Sequence, residues 1–431
     1  MMIKKFLYLQ EVMKHSKMSS EALKSIQDKK FVEVVRYSFK NVNYYRNLWK
    51  RLGINVGDIR TAEDIKKLPV INKKIILKNY NAFISSEYKK YLRFLYAKKS
   101  FLFMSSTAGT SGPTLTLYFN PDAKYYRDAI YARAFLSVGY KPTKPMLYYW
   151  ERMPQKDKYN FFGLFRKTYV PFYWDEQKQL ELMQNKKPAY MFYYPSSLYF
   201  IARMILGENI DLGFKPQLIF TRAEILTEKM RKTIEDAFGS VVYDHYGANE
   251  FNKIAWECKE RNGYHVDMDN VLVEIVDENY EEVGYGETGR VVVTGLVNKA
   301  LPLIRYEIGD FAAKADEDQT KHSCGTNLPV LIKSIEGRYE HSGTKKNKIV
   351  TQRKILERIL DVFGEERNVF KFQAFVNFRN KKIMINYSTF KNGGIPVLQK
   401  NRLDDYKVSF KRVKNVEKNK KNGKILLLEK A

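Results

Sequence analysis

Residues 105–114 read SSTAGTSGPT and stand between the apolar run FLFM at 101–104 and the alternating run LTLYF at 115–119. Two glycines and a proline among serines and threonines let the backbone bend sharply, so this stretch is a loop joining two strands. Such a loop can turn its N–H groups inward and cradle a polyanion such as a phosphate. A plain hairpin turn has the same composition, and the loop alone does not choose between the two.

The rest of the chain arranges itself around that loop. At 431 residues it exceeds what one core usually holds, so two structural units are expected. Over 19–50 the apolar positions Phe31, Val34, Val35 and Phe39 recur at helical spacing. Thr61 with Asp64 three residues on reads as a capping box, and Pro69 breaks the segment. Short apolar runs at 146–149, 190–194, 217–221 and 241–243 alternate with helical segments at 124–138, 180–186 and 196–206. That alternation predicts buried parallel strands with crossover helices. After Asp244 the pattern changes to strand period at 271–276 and 290–294, which predicts antiparallel hairpins. Beyond a glycine and charged hinge near Gly337 come a helix at 352–363 and strands at 370–376, 381–387 and 424–429. The expected fold is α/β: a large N-terminal domain, 1–338, with parallel and mixed sheets and crossover helices, then a small α+β C-terminal domain, 339–431.

With 75 Lys and Arg against 48 Asp and Glu, the formal net charge is +27, far above the magnitude of roughly 2 to 8 comfortable for a small domain. An anionic partner is therefore expected: ATP, a coenzyme A tail, an acidic glycan, anionic lipid or nucleic acid. Nucleic acid drops to runner-up, because the chain has no zinc finger, aromatic RNP signature or basic-region heptads. No apolar run approaches the ~18 residues of a spanning helix, and 1–13 is interrupted by Lys4, Lys5, Gln10 and Glu11. Two cysteines cannot make a disulfide framework. A cytoplasmic location is the expectation.

Four further motifs follow the loop: TRAEIL at 221–226, DHYGANE at 244–250, LPLIRYEIGD at 301–310, and IEGR ending at Arg338, with a late GK in KNGKILLL. Each has a bland reading, such as a turn at the Tyr-Gly pair or an Arg305–Asp310 ion pair closing a hairpin. In this order, however, they resemble the adenylate-forming enzymes. Within these, the chain is similar to the phenylacetate-coenzyme A ligase branch and its relatives encoded with capsular polysaccharide genes, over nearly its whole length.

The resemblance implies activation of a small-molecule carboxylic acid by ATP to an acyl adenylate, then transfer to coenzyme A or an amine acceptor. That chemistry needs phosphate clamps, magnesium and nucleotide positioning. By the resemblance, Ser105, Ser106, Thr107, Gly109, Thr110 and Gly112 cradle the β- and γ-phosphates, with Thr114 where many members carry lysine. Ala223 and Glu224 border the adenine, Tyr246, followed by Gly247, stacks on it, and Glu250 binds magnesium as a catalytic carboxylate. Asn249 replaces the usual Thr or Ser, and its amide can still donate to the α-phosphate. Asp310 grips the ribose hydroxyls with Arg338 assisting. Lys424 is the catalytic lysine, on a mobile lid that rotates about a hinge near Arg338 and Glu340.

Two readings concern the remaining side chains. Tyr148, Tyr149, Trp150, Tyr193, Tyr194 and Tyr199, with Ser196 and Ser197 as polar handles, either line an acyl pocket or are ordinary core. Cys258 with His265, and His322 with Cys324, make two pairs of one thiolate and one imidazole, a set that suits structural zinc or, failing that, two small buried hydrophobes. Relatives in the branch carry cysteines at such places. Rival functions are an amide-forming acyl ligase in surface polysaccharide biosynthesis and a non-catalytic nucleotide- or anionic-polymer-binding protein. Contact with an anionic polysaccharide or a membrane surface would suit the charge.

Overall fold

The computed structural model describes residues 2–94, 102–107, 113–150, 158–160, 164–317, 323–345, 348–363, 368–390, 402–403, 406–417 and 428–430. The chain divides into two compact units, residues 1–139 with 246–334 and residues 140–245 with 335–431.

In the first unit, helix Met2–His15 lies on helix Pro121–Ser137 through Tyr8, Leu9 and Val12, which meet Tyr126, Ala129 and Ile130. Helices Ser20–Asn41 and Asn43–Arg51 follow, as the spacing of Phe31, Val34 and Val35 predicts, and all three side chains are buried. The Thr61–Asp64 capping box forms as read, although the turn it opens is a 3-10 helix, Ala62–Lys67. Strands Val271–Val276, Thr288–Gly295 and Tyr306–Lys314 make an antiparallel meander, to which Ile71–Asn72 adds in parallel beside Tyr306. Strands Asn252–Trp256 and Tyr264–Val266 form a hairpin. A separate hairpin pairs Phe103–Ser106 with Thr116–Phe119 on either side of the glycine loop.

The second unit begins with the alternation read from the sequence. Strands Leu164–Pro171, Met146–Trp150, Tyr190–Tyr193, Leu218–Arg222 and Val241–Ala248 lie side by side in that order, all parallel. Helices Glu176–Lys186, Pro195–Gly207 and Glu228–Phe238 make the crossovers. Because helices cover such a sheet, its strands are apolar on both faces; all four residues of Tyr190–Tyr193 are buried. Helix Gln352–Phe363 and a five-stranded sheet complete this unit. Strand Leu428–Lys430 runs parallel to Val369–Asn377, and the rest of the strand expected at 424–429 lies outside the described residues. Phe372, Ala374, Ile383 and Ile359 share one apolar cluster with Leu198, Ile201 and Met230, so residues 335–431 and 140–245 have a common core. The mixed α/β architecture is the one expected.

Candidate functional site

At the neck of the glycine loop, Ser106 stands opposite Thr116 in the antiparallel register. Thr107 N donates to Leu115 O at 3.0 Å, and Leu115 N donates to Thr107 Oγ1 at 2.9 Å. Thr107 therefore closes the neck with both its backbone and its hydroxyl. Ser105 and Ser106 are half-buried beside it; Gly109, Thr110 and Gly112 lie outside the described residues.

The YGANE segment turns sharply between strands Val241–Ala248 and Asn252–Trp256. A Cβ at Gly247 would stand 1.9 Å from the Asn252 carbonyl oxygen, so only glycine fits this approach. The turn delivers three side chains to neighbouring motifs of the same unit. Asn249 Nδ2 donates to Ser106 O at 3.0 Å, linking YGANE to the glycine loop. Tyr246 donates to Asp310 Oδ2 at 2.9 Å, and Tyr306 donates to Glu250 Oε1 at 3.2 Å. Residues from 105–107, 246–250 and 306–310 are thus joined by hydrogen bonds although up to two hundred positions separate them. The Arg305–Asp310 ion pair does not form. Arg305, in a left-handed conformation at φ 51°, turns to Glu274 at 3.1 Å and donates to the carbonyls of Lys66, Leu68 and Tyr280.

Ala223, Glu224 and Arg338 belong to the second unit. Ala223 is exposed with φ 69°, and Glu224 accepts from Ser196 N at 3.0 Å, placing a carboxylate at the amino end of helix Pro195–Gly207. Arg338 N donates to Gln352 Oε1 at 3.0 Å while the Arg338 side chain is exposed. Lys424 lies outside the described residues. Of the aromatic residues, Tyr149, Tyr193, Tyr194 and Tyr199 are at most 2% exposed and belong to the apolar core. Sequence reading overlooked Arg222, whose guanidinium lies 4.8–5.6 Å from the ring centroids of Tyr148, Trp150, Phe192 and Tyr194.

The two cysteines meet. Cys258 Sγ, His265 and Cys324 Sγ place their ligand atoms within 4.8 Å of one another, with Cys258 and His265 buried. His265 Nδ1 is 2.6 Å from Leu328 O, and because a carbonyl only accepts, that nitrogen carries the proton. Nε2 lies 3.4 Å from Cys324 Sγ. The hydrogen bond from Cys258, helped by His265, pulls the Cys324 thiol well below its usual range, while Cys258, as the S–H donor, is pushed up. His322, the fourth residue of the expected set, lies outside the described residues.

A buried ionic cluster supports this hairpin. Arg133 contacts Asp267 at 2.6 Å and Asp269 at 2.7 Å with all three side chains fully buried. Asp269 also meets His15 Nδ1 at 2.8 Å and Tyr126 OH at 3.1 Å, and Trp256 Nε1 donates to Asp267 at 3.0 Å. The one available signal is the arginine inside the otherwise apolar YARAF turn of a buried helix.

No family model matches the chain. It is 27% identical to Protein CapK of Staphylococcus aureus over 325 residues, covering 73% of this chain and 67% of that one. It is 26% identical to the phenylacetate-coenzyme A ligase of Thermus thermophilus over 314 residues, covering 67% of this chain and 65% of that one. The matched segment thus spans about two thirds of these relatives' length. Among solved structures, 2-hydroxyisobutyryl-CoA ligase in the postadenylation state superposes with a TM-score of 0.74 at 16% identity, covering 96% of this chain and 90% of that one. The homologues are those the motif order implied, and the fold is that of the adenylate-forming acyl-CoA ligases. No helix among the described residues is long and apolar enough to cross a membrane.

Proposed function

From a chain homologous to phenylacetate-coenzyme A ligases and built on the acyl-CoA ligase fold, we infer an ATP-dependent adenylate-forming ligase that activates a carboxylic acid and passes the acyl group to coenzyme A. The observation that carries this is the hydrogen-bonded joining of the glycine-loop neck, YGANE and RYEIGD through Asn249, Tyr246 and Glu250. A carboxylate oxygen of the acid attacks the α-phosphorus of ATP, and the bond to pyrophosphate breaks. The thiolate of coenzyme A then attacks the acyl carbonyl, and AMP leaves.

In this reading Ser105, Ser106 and the loop hold phosphate oxygens, Tyr246 lies against the adenine, and Asp310 takes the ribose hydroxyls. Ala223, Glu224 and Arg338 complete the nucleotide contacts, and Lys424, on a lid formed by 339–431, stabilises charge in the first step. Glu250 is a hard oxygen donor held in place by Tyr306, which fits magnesium. Bound there, magnesium would neutralise phosphate charge. Cys258, His265 and Cys324 fit three ligands of a zinc that would close the hairpin, and with His322 as the fourth the site would be a structural one with no open position.

ATP–pyrophosphate exchange across a panel of carboxylic acids tests the assignment, with exchange expected for at least one acid and thioester formation on adding coenzyme A. ATP binding without exchange for any acid would favour a non-catalytic nucleotide-binding protein instead.

A further inference from the structure

Helix Met2–His15 presents large apolar side chains on two sides. Tyr8, Leu9 and Val12 fill the seam with helix Pro121–Ser137, while Ile3, Phe6 and Leu7 are 76%, 58% and 54% exposed. Those three stand at i, i+3 and i+4, so they form one contiguous ridge, and Gln10 and the exposed Lys14 continue it along the same face. The seam is filled by Tyr8, Leu9 and Val12, and these three side chains are not part of it.

We propose that this ridge seats the protein on an anionic phospholipid surface, with Ile3, Phe6 and Leu7 entering the boundary between headgroups and acyl chains. An interfacial helix has this form: apolar side chains on the outward face with basic residues beside them. Charge selects the occupant. Residues 1–50 contain eleven Lys and Arg against four Asp and Glu, within a chain of net charge +27. Anionic headgroups complement that field, whereas a second copy docked on the same ridge would bring two strongly basic segments together. Lys4 and Lys5 are engaged by Asp122 and Asp128 at 2.9 Å, which leaves Lys14 as the basic residue that turns outward with the ridge. The contact is independent of the catalytic assignment.

The full chain is sedimented with vesicles of phosphatidylcholine alone and of phosphatidylcholine mixed with phosphatidylglycerol. Binding is expected only to the mixed vesicles, weakened by added salt, and about tenfold weaker in the triple variant Ile3→Ser, Phe6→Ser, Leu7→Ser. Lys14→Glu, a single exposed change that leaves the apolar ridge and the helix packing intact, should also weaken it and decides the matter if the triple variant folds poorly. Failure of the parent protein to bind mixed vesicles would overturn the proposal. So would equal binding by both variants, or a triple variant that turns a dimer into a monomer in light scattering while the parent ignores lipid.

Discussion

Tyr246 donates its phenolic hydrogen to Asp310 at 2.9 Å, so the side chain proposed for the adenine and the one proposed for the ribose hold each other in place. Tyr246→Phe keeps the ring and removes that bond. Equilibrium ATP titration should show affinity falling about two- to twelvefold, the worth of roughly 0.5–1.5 kcal/mol for one hydrogen bond. Asp310→Ala should cost more, since it removes the ribose partner as well. Unchanged affinity in both variants would detach this pair from the nucleotide.

Asn249 ties the YGANE turn to the carbonyl of Ser106, and Thr107 closes the loop neck against Leu115. Asn249→Ala should slow acyl-adenylate formation by about tenfold, the scale of one lost hydrogen bond. Thr107→Val, which removes the hydroxyl acceptor, should act in the same direction and raise the KM for ATP. Thermal unfolding midpoints close to the parent's would assign the losses to the loop; a parallel fall in stability would assign them to the fold.

The thiolate and imidazole trio predicts about one zinc per chain in protein purified without chelator or nickel affinity, measured by elemental analysis. Cys258→Ser and His265→Ala should each release the metal and lower the unfolding midpoint. Folded protein with well below one zinc per chain, indifferent to both substitutions, leaves two cysteines acting as small buried groups.

What the sequence made legible follows from where the information lies. The parallel strands, the crossover helices and helix Gln352–Phe363 were readable because burial on both faces of a sheet, or one face of a helix, writes a period into the chain. The joining of YGANE to RYEIGD was legible only as motif order, since a bond such as Tyr246–Asp310 crosses 64 positions and leaves no local trace. Helix Met2–His15 escaped because apolar residues on two sides blur its amphipathic period. The Arg133 cluster escaped for another reason: whether a helical arginine is buried depends on carboxylates 134 and 136 positions away. The same remoteness hides the partner of Arg305, which is Glu274 and not the nearby Asp310 of the bland hairpin reading.

If Lys424 acts from a rotating lid, Lys424→Ala should slow acyl-adenylate formation by about a hundredfold or more, as expected for loss of a charge that stabilises the transition state. Thioester formation from supplied acyl adenylate should be nearly spared. In this structure the carboxy-terminal segment is held to residues 140–245 by the buried Lys371–Glu176 ion pair and by Arg203 donating to Val369 O at 2.6 Å. Equal losses in both half-reactions would argue against a lysine that leaves after the first step.

The last expectation concerns the buried cluster beneath the cysteine hairpin. Burial alone would raise the Asp269 carboxyl, but Arg133, with the hydrogen bond from His15, outweighs it and holds Asp269 far below the usual carboxylate range. A group depressed in the folded state contributes stability above its unfolded pKa, about 3.9, and loses that contribution as pH falls toward the folded value. Asp267 runs the other way, since burial raises it against the pull of Arg133. Asp269→Asn leaves the fully buried guanidinium of Arg133 short of one of its two carboxylates. Unfolding in denaturant at neutral pH should show a loss of about 3–5 kcal/mol, the cost of breaking one side of a buried pair. The loss should shrink below about pH 4, because the unfolded parent then binds a proton that folding, with Asp269 held ionised, must expel. A variant as stable as the parent at neutral pH, or a deficit that does not change with pH, would mean that Asp269 is not what balances Arg133.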